Sequence, residues 1–346
     1  MSPEALTGTA FWLPLAAASL VALSVGLYVV LDGFDLGVGI LFPFFPREAD
    51  RDRMMNSVAP FWDGNETWLI LGGNGLFVAF PLAYAIIMPA IYVPLIVMLI
   101  ALVFRGVAFE FRWLAKPHHR KWDVGFAAGS TVAAFCQGLM LGGLIDGLHV
   151  VNGKFAGGPF DWLTSFSLMC GLGLLIGYAL IGACWLVMKT TDELERKARK
   201  FAQPLLIALA TFIALVSLWT PLEYPRIADR WLTMPNLLYL SPLPIATAVL
   251  ITICWRGVRG NHPTSAFYSA VAVFALAFVG LAISTYPYLV PWSRTLWDVA
   301  GAPESQAFIL IGTAILLPFI IGYTVFVYHT FRGKLKEGEG YHEAAH

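Results

Sequence analysis

The sequence predicts an all-α integral membrane protein of nine transmembrane helices, with its N-terminus outside and its C-terminus in the cytoplasm. Three observations carry this expectation. The 346 residues are 58% hydrophobic and only 13% charged, with a mean hydropathy of +0.71, whereas a soluble domain is about half apolar and about a quarter charged. The chain contains nine stretches of the length that an apolar helix needs to cross a bilayer, about 20 residues. Its basic residues are distributed unevenly among the segments between those stretches.

The nine expected spans run from Phe11 to Phe42, Ser57 to Phe80, Leu82 to Arg105, Trp122 to His149, Asp161 to Met188, Phe201 to Trp219, Leu237 to Trp255, Ser265 to Tyr288 and Gln306 to Thr330. Only Pro81 separates the second from the third, which predicts a tight helical hairpin. The small residues from Ala16 to Ser19 resemble a signal-peptide cleavage region, but no Lys or Arg precedes Arg47 and the apolar run continues past Ser19, so the first stretch is expected to be a span. Gly and Pro, 32 and 21 in number, fall mostly in or beside spans, where close helix approach and locally re-satisfied kinks are tolerated.

Alternate connections carry Arg47, Arg51 and Arg53; Arg105, Arg112, Lys116, Arg120 and Lys121; Lys189, Arg196, Lys197, Arg199 and Lys200; Arg256 and Arg259; and Arg332, Lys334 and Lys336. The opposite set holds only Lys154, Arg226, Arg230 and Arg294 of the 22 Lys and Arg residues. The basic set is placed in the cytoplasm by the positive-inside rule. With Asp+Glu also 22, there is no basic excess to suggest a nucleic-acid partner. The cysteines Cys136, Cys170, Cys184 and Cys254 stand singly, without metal or disulfide spacing.

Ionisable side chains inside a bilayer cost at least about 2.5 kcal/mol at a helix centre, so their presence needs a reason. Asp32 and Asp35 lie in the first span; Asp63 and Glu66 lie in the second. Each pair has i,i+3 spacing, which puts both carboxyls on one helix face. Counting helical rise from the ends of the spans puts Asp32 at the cytoplasmic edge of the hydrocarbon, with Asp63 and Glu66 progressively deeper. Arg105 falls at the level of the first pair, available to neutralise one acid. Carboxyls removed from water hold protons readily, and Asn56, Asn65, Thr67 and Asn74 can order water among them. Such a series reads as a proton relay; its bland counterpart is that the acids pair with Arg105, Arg112 or helix N-termini and serve packing alone.

Haem ligation needs a His, Met, Cys or Tyr at the cofactor. None of His118, His119, His149, His262, His329, His342 and His346 falls at mid-span, and no nucleotide-binding glycine loop or metal-ligand spacing is present. No cofactor is therefore expected on this chain. Trp122, Trp162, Trp219, Trp231, Tyr288 and Trp292 near span ends read as an aromatic belt.

The stretches Leu31-Asp32-Gly33-Phe34-Asp35-Leu36-Gly37-Val38-Gly39, Asn56 to Leu69, Phe104-Arg105, Phe109 to Arg112, Tyr286 to Pro291 and Leu296-Trp297-Asp298, in this order and spacing, resemble subunit II of cytochrome bd quinol oxidases along nearly the whole chain. The resemblance implies two four-helix bundles plus one peripheral helix: residues 1–155 with spans one to four and the acid motifs, 156–290 with spans five to eight, and 291–346 with the ninth span and a cytoplasmic tail. It implies a haem-bearing subunit I as partner, holding two haems b and one haem d, a small single-span accessory subunit, and quinone or lipid contacts, all in the bacterial inner membrane. The complex would oxidise quinol, reduce oxygen and build proton-motive force without pumping. The matching path residues are Asp32, Asp35 and Asp63, with Trp62 beside the last and Asn65 and Arg105 in support; Glu66 stands where some relatives have an amide. Compact outer loops point to the branch that includes cyanide-insensitive oxidases. The alternative from the residues alone is a proton-coupled secondary transporter. That reading predicts broken helices in both halves, and the second half has no counterpart to the paired acids.

Overall fold

The computed structural model describes residues 7–115, 119–260 and 262–335. Lys116, His118, Lys336, His342 and His346 lie outside the described residues. The chain forms helices α1 (Thr9–Leu41), α2 (Glu48–Val58), α3 (Trp62–Ala79), α4 (Pro81–Leu114), α5 (Arg120–Asp146), α6 (Ser165–Lys189), α7 (Asp192–Glu223), α8 (Pro225–Leu232), α9 (Asn236–Leu240), α10 (Pro242–Arg259), α11 (Pro263–Thr285) and α12 (Pro303–Thr330). Two small antiparallel ladders, β1 (Val150–Val151) with β2 (Lys154–Phe155) and β3 (Tyr288–Val290) with β4 (Arg294–Thr295), occupy connections. Helices α4, α8, α10, α11 and α12 all begin with Pro in the first turn, where its missing N–H has no intrahelical acceptor to lose. Helix α6 begins with a capping box in which the Thr164 and Ser167 side chains bond each other's backbone N–H.

Among the described residues, eight helical segments are long and apolar enough to cross a membrane: Thr9–Phe44, Pro81–Leu114, Arg120–Asp146, Ser165–Lys189, Asp192–Glu223, Asn236–Arg259, Pro263–Thr285 and Pro303–Thr330. The difference from the nine expected lies in the stretch from Ser57 to Phe80. The chain breaks around Pro60, so α2 is a separate helix whose Met54, Met55 and Val58 are buried against the bundle. What remains is α3, eighteen residues long, carrying Asp63, Asn65, Glu66 and Asn74. The third span also differs: α4 continues nine residues past Arg105 to Leu114, so Arg105 lies inside a long apolar helix and not in a connection.

Helix α6 is the central element, packing against α1, α5, α7 and α11. From Gly177 to Val187 every residue is buried, as expected of a helix apolar on all sides. Trp185 is sandwiched there, stacked on Phe34 at 4.2 Å and meeting Phe61 and Phe267 at 5.4 and 5.2 Å between ring centroids. Helices α1 and α6 cross with backbones in contact, because a Cβ at Gly37 would overlap the Tyr178 carbonyl and one at Gly182 would overlap the Gly37 backbone. Only glycine permits that approach. Helices α3 and α4 form the expected hairpin through Phe80 alone, with Phe77 packed on Tyr84 near the turn and Trp62 stacked parallel on Phe109 at 4.8 Å towards the open end.

The basic connections meet at one end of the molecule. Arg47 pairs with Glu193 at 3.0 Å, Arg51 with Asp123 at 3.0 Å, Lys197 with Asp50 at 3.1 Å and Lys334 with Glu195 at 2.6 Å. Arg112 bonds both Asp52 and Asp123 at 2.6 Å, and Arg199 donates to the carbonyls of Val258 and Gly260 at 2.7 and 2.9 Å. At the opposite end, neutral contacts predominate: Trp292 Nε1 donates to the Ile145 carbonyl at 2.7 Å, Trp297 Nε1 to that of Phe11 at 3.1 Å, and the Gly301 N–H to that of Ala79 at 2.8 Å. The thiols of Cys184 on α6 and Cys254 on α10, isolated in the sequence, are buried against one another by the fold.

The α1–α6 crossing makes a prediction. Gly37→Ala places a methyl into backbone, and the strain is expected at or above the top of the about 1–3 kcal/mol range for overpacking. Gly322→Ala on α12, where nothing stands within 4 Å, is expected to be neutral or slightly stabilising. Thermal unfolding of the detergent-purified protein separates the two, and equal melting temperatures for both variants would contradict the close crossing.

Candidate functional site

Three helices converge on one guanidinium. Arg105 on α4 is fully buried and donates from Nη1 to Asp32 Oδ1 on α1 at 2.6 Å. Its Nη2 reaches Glu66 Oε2 on α3 at 3.4 Å. Its face lies over the Trp62 ring at 5.7 Å, a cation–π contact that favours the charge in a dry setting. Arg105 and Asp32 each stand nine residues before the basic ends of their helices, about 14 Å along the axis.

Asp35, also fully buried, is linked to a neutral donor: Asn65 Nδ2 bonds Asp35 Oδ2 at 2.7 Å and the Leu31 carbonyl at 3.1 Å. The orientation of that amide is set by Tyr328 near the end of α12, whose hydroxyl donates to Asn65 Oδ1 at 3.1 Å. On the far side of Asp32, Tyr28 lies one helical turn deeper on the same face. Its hydroxyl accepts from Gln137 Nε2 on α5 at 2.8 Å, and Gln137 Oε1 accepts from Tyr178 on α6 at 2.8 Å. Asp32 Oδ2, Asp35 Oδ1 and Arg105 Nε are buried without a hydrogen-bond partner among the described residues. Two carboxyls thus contact a single cation, with a third, Asp35, one helical turn away on Asn65.

The expected residues fall into two groups. Asp32, Asp35, Asn65 and Arg105 are buried together, with Glu66 half-buried beside them and Trp62 covering Arg105. Asp63 is exposed, in the first turn of α3. The depth order differs from the count made along the sequence. Asp32 and Glu66 share Arg105 and so lie at one level, while Asp35 and Asp63 each lie one turn nearer the basic end. The chain is not one continuous helix through Pro60: α3 begins only at Trp62, which puts Asp63 in its first turn. Arg112 takes no part in this cluster; it is engaged with Asp52 and Asp123. Tyr28, Gln137, Tyr178 and Tyr328 escaped sequence reasoning, since single polar aromatics and amides in apolar helices carry no local pattern. Among the described residues no three His, Cys, Asp or Glu side chains form a metal-holding group, and His119, His149, His262 and His329 stand at or beyond helix ends.

A many-spanned helical membrane protein with a buried, multiply acidic cluster around one arginine is the class these features define. Residues 13–331 match the family model for cytochrome bd terminal oxidase subunit II, and the chain belongs to that family. It is 29% identical to cytochrome bd-I ubiquinol oxidase subunit 2 of Escherichia coli strain K12, over 89% of this chain and 91% of that one. It is 29% identical to cytochrome bd ubiquinol oxidase subunit 2 of Bacillus subtilis strain 168, over 90% and 94%, and 28% identical to a probable cytochrome oxidase subunit 2 of Haemophilus influenzae, over 89% and 91%. Its fold matches a chain in the structure of the bd oxidase from Geobacillus thermodenitrificans with a TM-score of 0.77, 17% identity, and coverage of 92% of this chain and 98% of that one.

Removing Arg105 leaves Asp32 buried without its cation. Arg105→Leu is expected to destabilise the protein by about 3–5 kcal/mol, and adding Asp32→Asn to recover a large part of that loss. Thermal melts of the single and double variants measure the coupling; strictly additive losses would contradict it.

Proposed function

We propose that this chain is the haem-free subunit II of a cytochrome bd quinol:oxygen oxidoreductase in the bacterial inner membrane. In this reading it braces a haem-bearing subunit I and gives protons a route from the cytoplasm towards the oxygen-reducing site. Oxygen reduction to water consumes one proton for each electron and quinol oxidation releases one for each electron. Drawing the first from the cytoplasm and releasing the second outside builds proton-motive force without a pump. The haems, two of b type and one of d type, belong to the partner in this reading, and the quinol is the substrate of the complex.

The observation that carries the proton route is the acid cluster itself: exposed Asp63, half-buried Glu66, and fully buried Asp35 and Asp32 around Arg105. A purely structural ion pair needs one carboxyl, and the surplus acids are what a relay requires. Asp63 is the entrance in this scheme. Glu66, Asp35 and Asp32 carry the proton inward, and Arg105, Asn65 and Trp62 hold the path in shape. The positive-inside rule sets the basic end, where five segments meet, in the cytoplasm. Helix α3 would be the ninth crossing, since eighteen residues rise about 27 Å, close to the about 30 Å hydrocarbon core. In this architecture α1, α3, α4 and α5 form the first four-helix bundle, α6, α7, α10 and α11 form the second, and α12 is peripheral. A small accessory subunit completes the complex.

Two measurements test this reading. Asp63→Asn, a surface change, is expected to slow oxygen consumption by the purified complex about a hundredfold, the low end of what a positioned proton-transfer group contributes, with haem content unchanged. Full turnover across the pH range would remove Asp63 from the route. Affinity purification of the tagged chain is expected to bring a haem-absorbing subunit with it, whereas a colourless chain with transport activity would overturn the oxidase assignment.

A further inference from the structure

On the face of α1 turned away from the acid cluster, an apolar groove of about 860 Å³ runs between α1, α9 and α11. On α1 it extends from Ser19 to Val30 and on α11 from Tyr286 back to Val271, so the two helices line it antiparallel. Eleven residues of α1 rise about 16 Å. That is the depth of one leaflet, half of the about 30 Å hydrocarbon core. The walls are kept low by small residues, Ala22 and Gly26 on α1 and Ala275 and Ala282 on α11. The floor is tight at Gly26, where a Cβ would stand 3.2 Å from the Phe278 ring.

At the mouth, at the end remote from the basic connections, stands Arg230 of α8. Its Nη1 donates to the Ile283 carbonyl at 2.6 Å and to the Tyr286 carbonyl. These two backbone acceptors hold the guanidinium over the groove while leaving its charge uncompensated. Among the described residues no ion pair joins Arg230 to a carboxylate, although the other end of the molecule pairs its arginines repeatedly. Asn236 and Tyr239 also line the groove.

We propose that this groove binds one membrane phospholipid, its phosphodiester on Arg230 and an acyl chain lying along the small residues of α1 and α11. Charge complementarity selects the occupant. A guanidinium over the end of a leaflet-deep apolar slot matches an anionic headgroup in bidentate fashion, whereas the neutral head of a quinone does not call for a cation. The site is independent of the proton route, so either can fail without the other.

The test uses the complex purified in mild detergent, stripped of loosely held lipid and titrated with palmitoyl-oleoyl phosphatidylglycerol, with retained lipid counted by native mass spectrometry. The expected result is that the unaltered complex keeps one phosphatidylglycerol more than Arg230→Gln or Ala275→Trp, each of which lowers its occupancy about tenfold or more, while Arg230→Lys, which keeps the charge but loses the planar fork, retains an intermediate occupancy. Ala275 is exposed in the groove, so filling it with Trp leaves the core intact; if Arg230→Gln does not assemble, Ala275→Trp decides. Equal lipid counts in the unaltered complex and Ala275→Trp would overturn the proposal. So would release of a neutral quinone by Ala275→Trp with the phospholipid count unchanged.

Discussion

The pairing of Arg105 with Asp32 is the interaction on which the rest of the structure depends. A guanidinium fully buried about 14 Å from the end of an apolar helix is tolerable only with a counter-charge in contact. Asp32 supplies it at 2.6 Å from a different helix, and the pair therefore fixes the level of α1 against α4. Glu66 ties α3 to the same cation. One charge thus registers three helices, and the acids around it gain a common electrostatic environment that none would have alone.

Close backbone approach is what keeps that pair dry. A Cβ at Gly129 of α5 would stand 2.6 Å from the Ala101 carbonyl and 3.0 Å from the Arg105 nitrogen, so α5 lies directly against α4 at the arginine. Gly39 meets Ser130 and Gly37 meets Tyr178 in the same manner along α1. The glycines that read as packing devices and the acids that read as chemistry are two parts of one arrangement. Small residues bring helices near enough to exclude water and lipid, and that exclusion makes the Arg105–Asp32 attraction strong.

The two ends of the molecule follow different physics. The basic end is a network in which exposed ion pairs such as Arg47–Glu193, individually weak, surround the buried Arg112–Asp123 pair, and Arg199 ties in the α10–α11 connection through its carbonyls. The other end is closed by indole and backbone hydrogen bonds, with one arginine, Arg230, held by carbonyls alone. Tyr328 connects the first of these surfaces to the interior: from the last turns of α12 it holds Asn65, and Asn65 holds Asp35. A helix at the C-terminal edge of the described chain therefore has a direct line to an acid on the first helix.

The membrane class, the basic sidedness and the identity of Asp32, Asp35, Glu66 and Arg105 as unusual residues were legible in the sequence alone, because the bilayer penalises each charge individually and leaves a mark at its position. The α3–α4 hairpin was legible too, since Pro81 leaves no length for a loop. What tertiary structure decided was depth and partnership. The break at Pro60 gave the first residues of the span expected from Ser57 to the end of α2 and left the shorter α3, on which Asp63 is exposed and Glu66 is level with Asp32. Tertiary structure also decided that the buried Arg112 pairs with Asp52 and Asp123, that Cys184 meets Cys254, and that Tyr28, Gln137 and Tyr328 join the cluster. The physical reason is that a hydrogen bond or ion pair between helices depends on rotation and register, which packing sets between residues as far apart in sequence as the 73 positions of Arg105 and Asp32 or the 263 of Tyr328 and Asn65, and no local pattern encodes it.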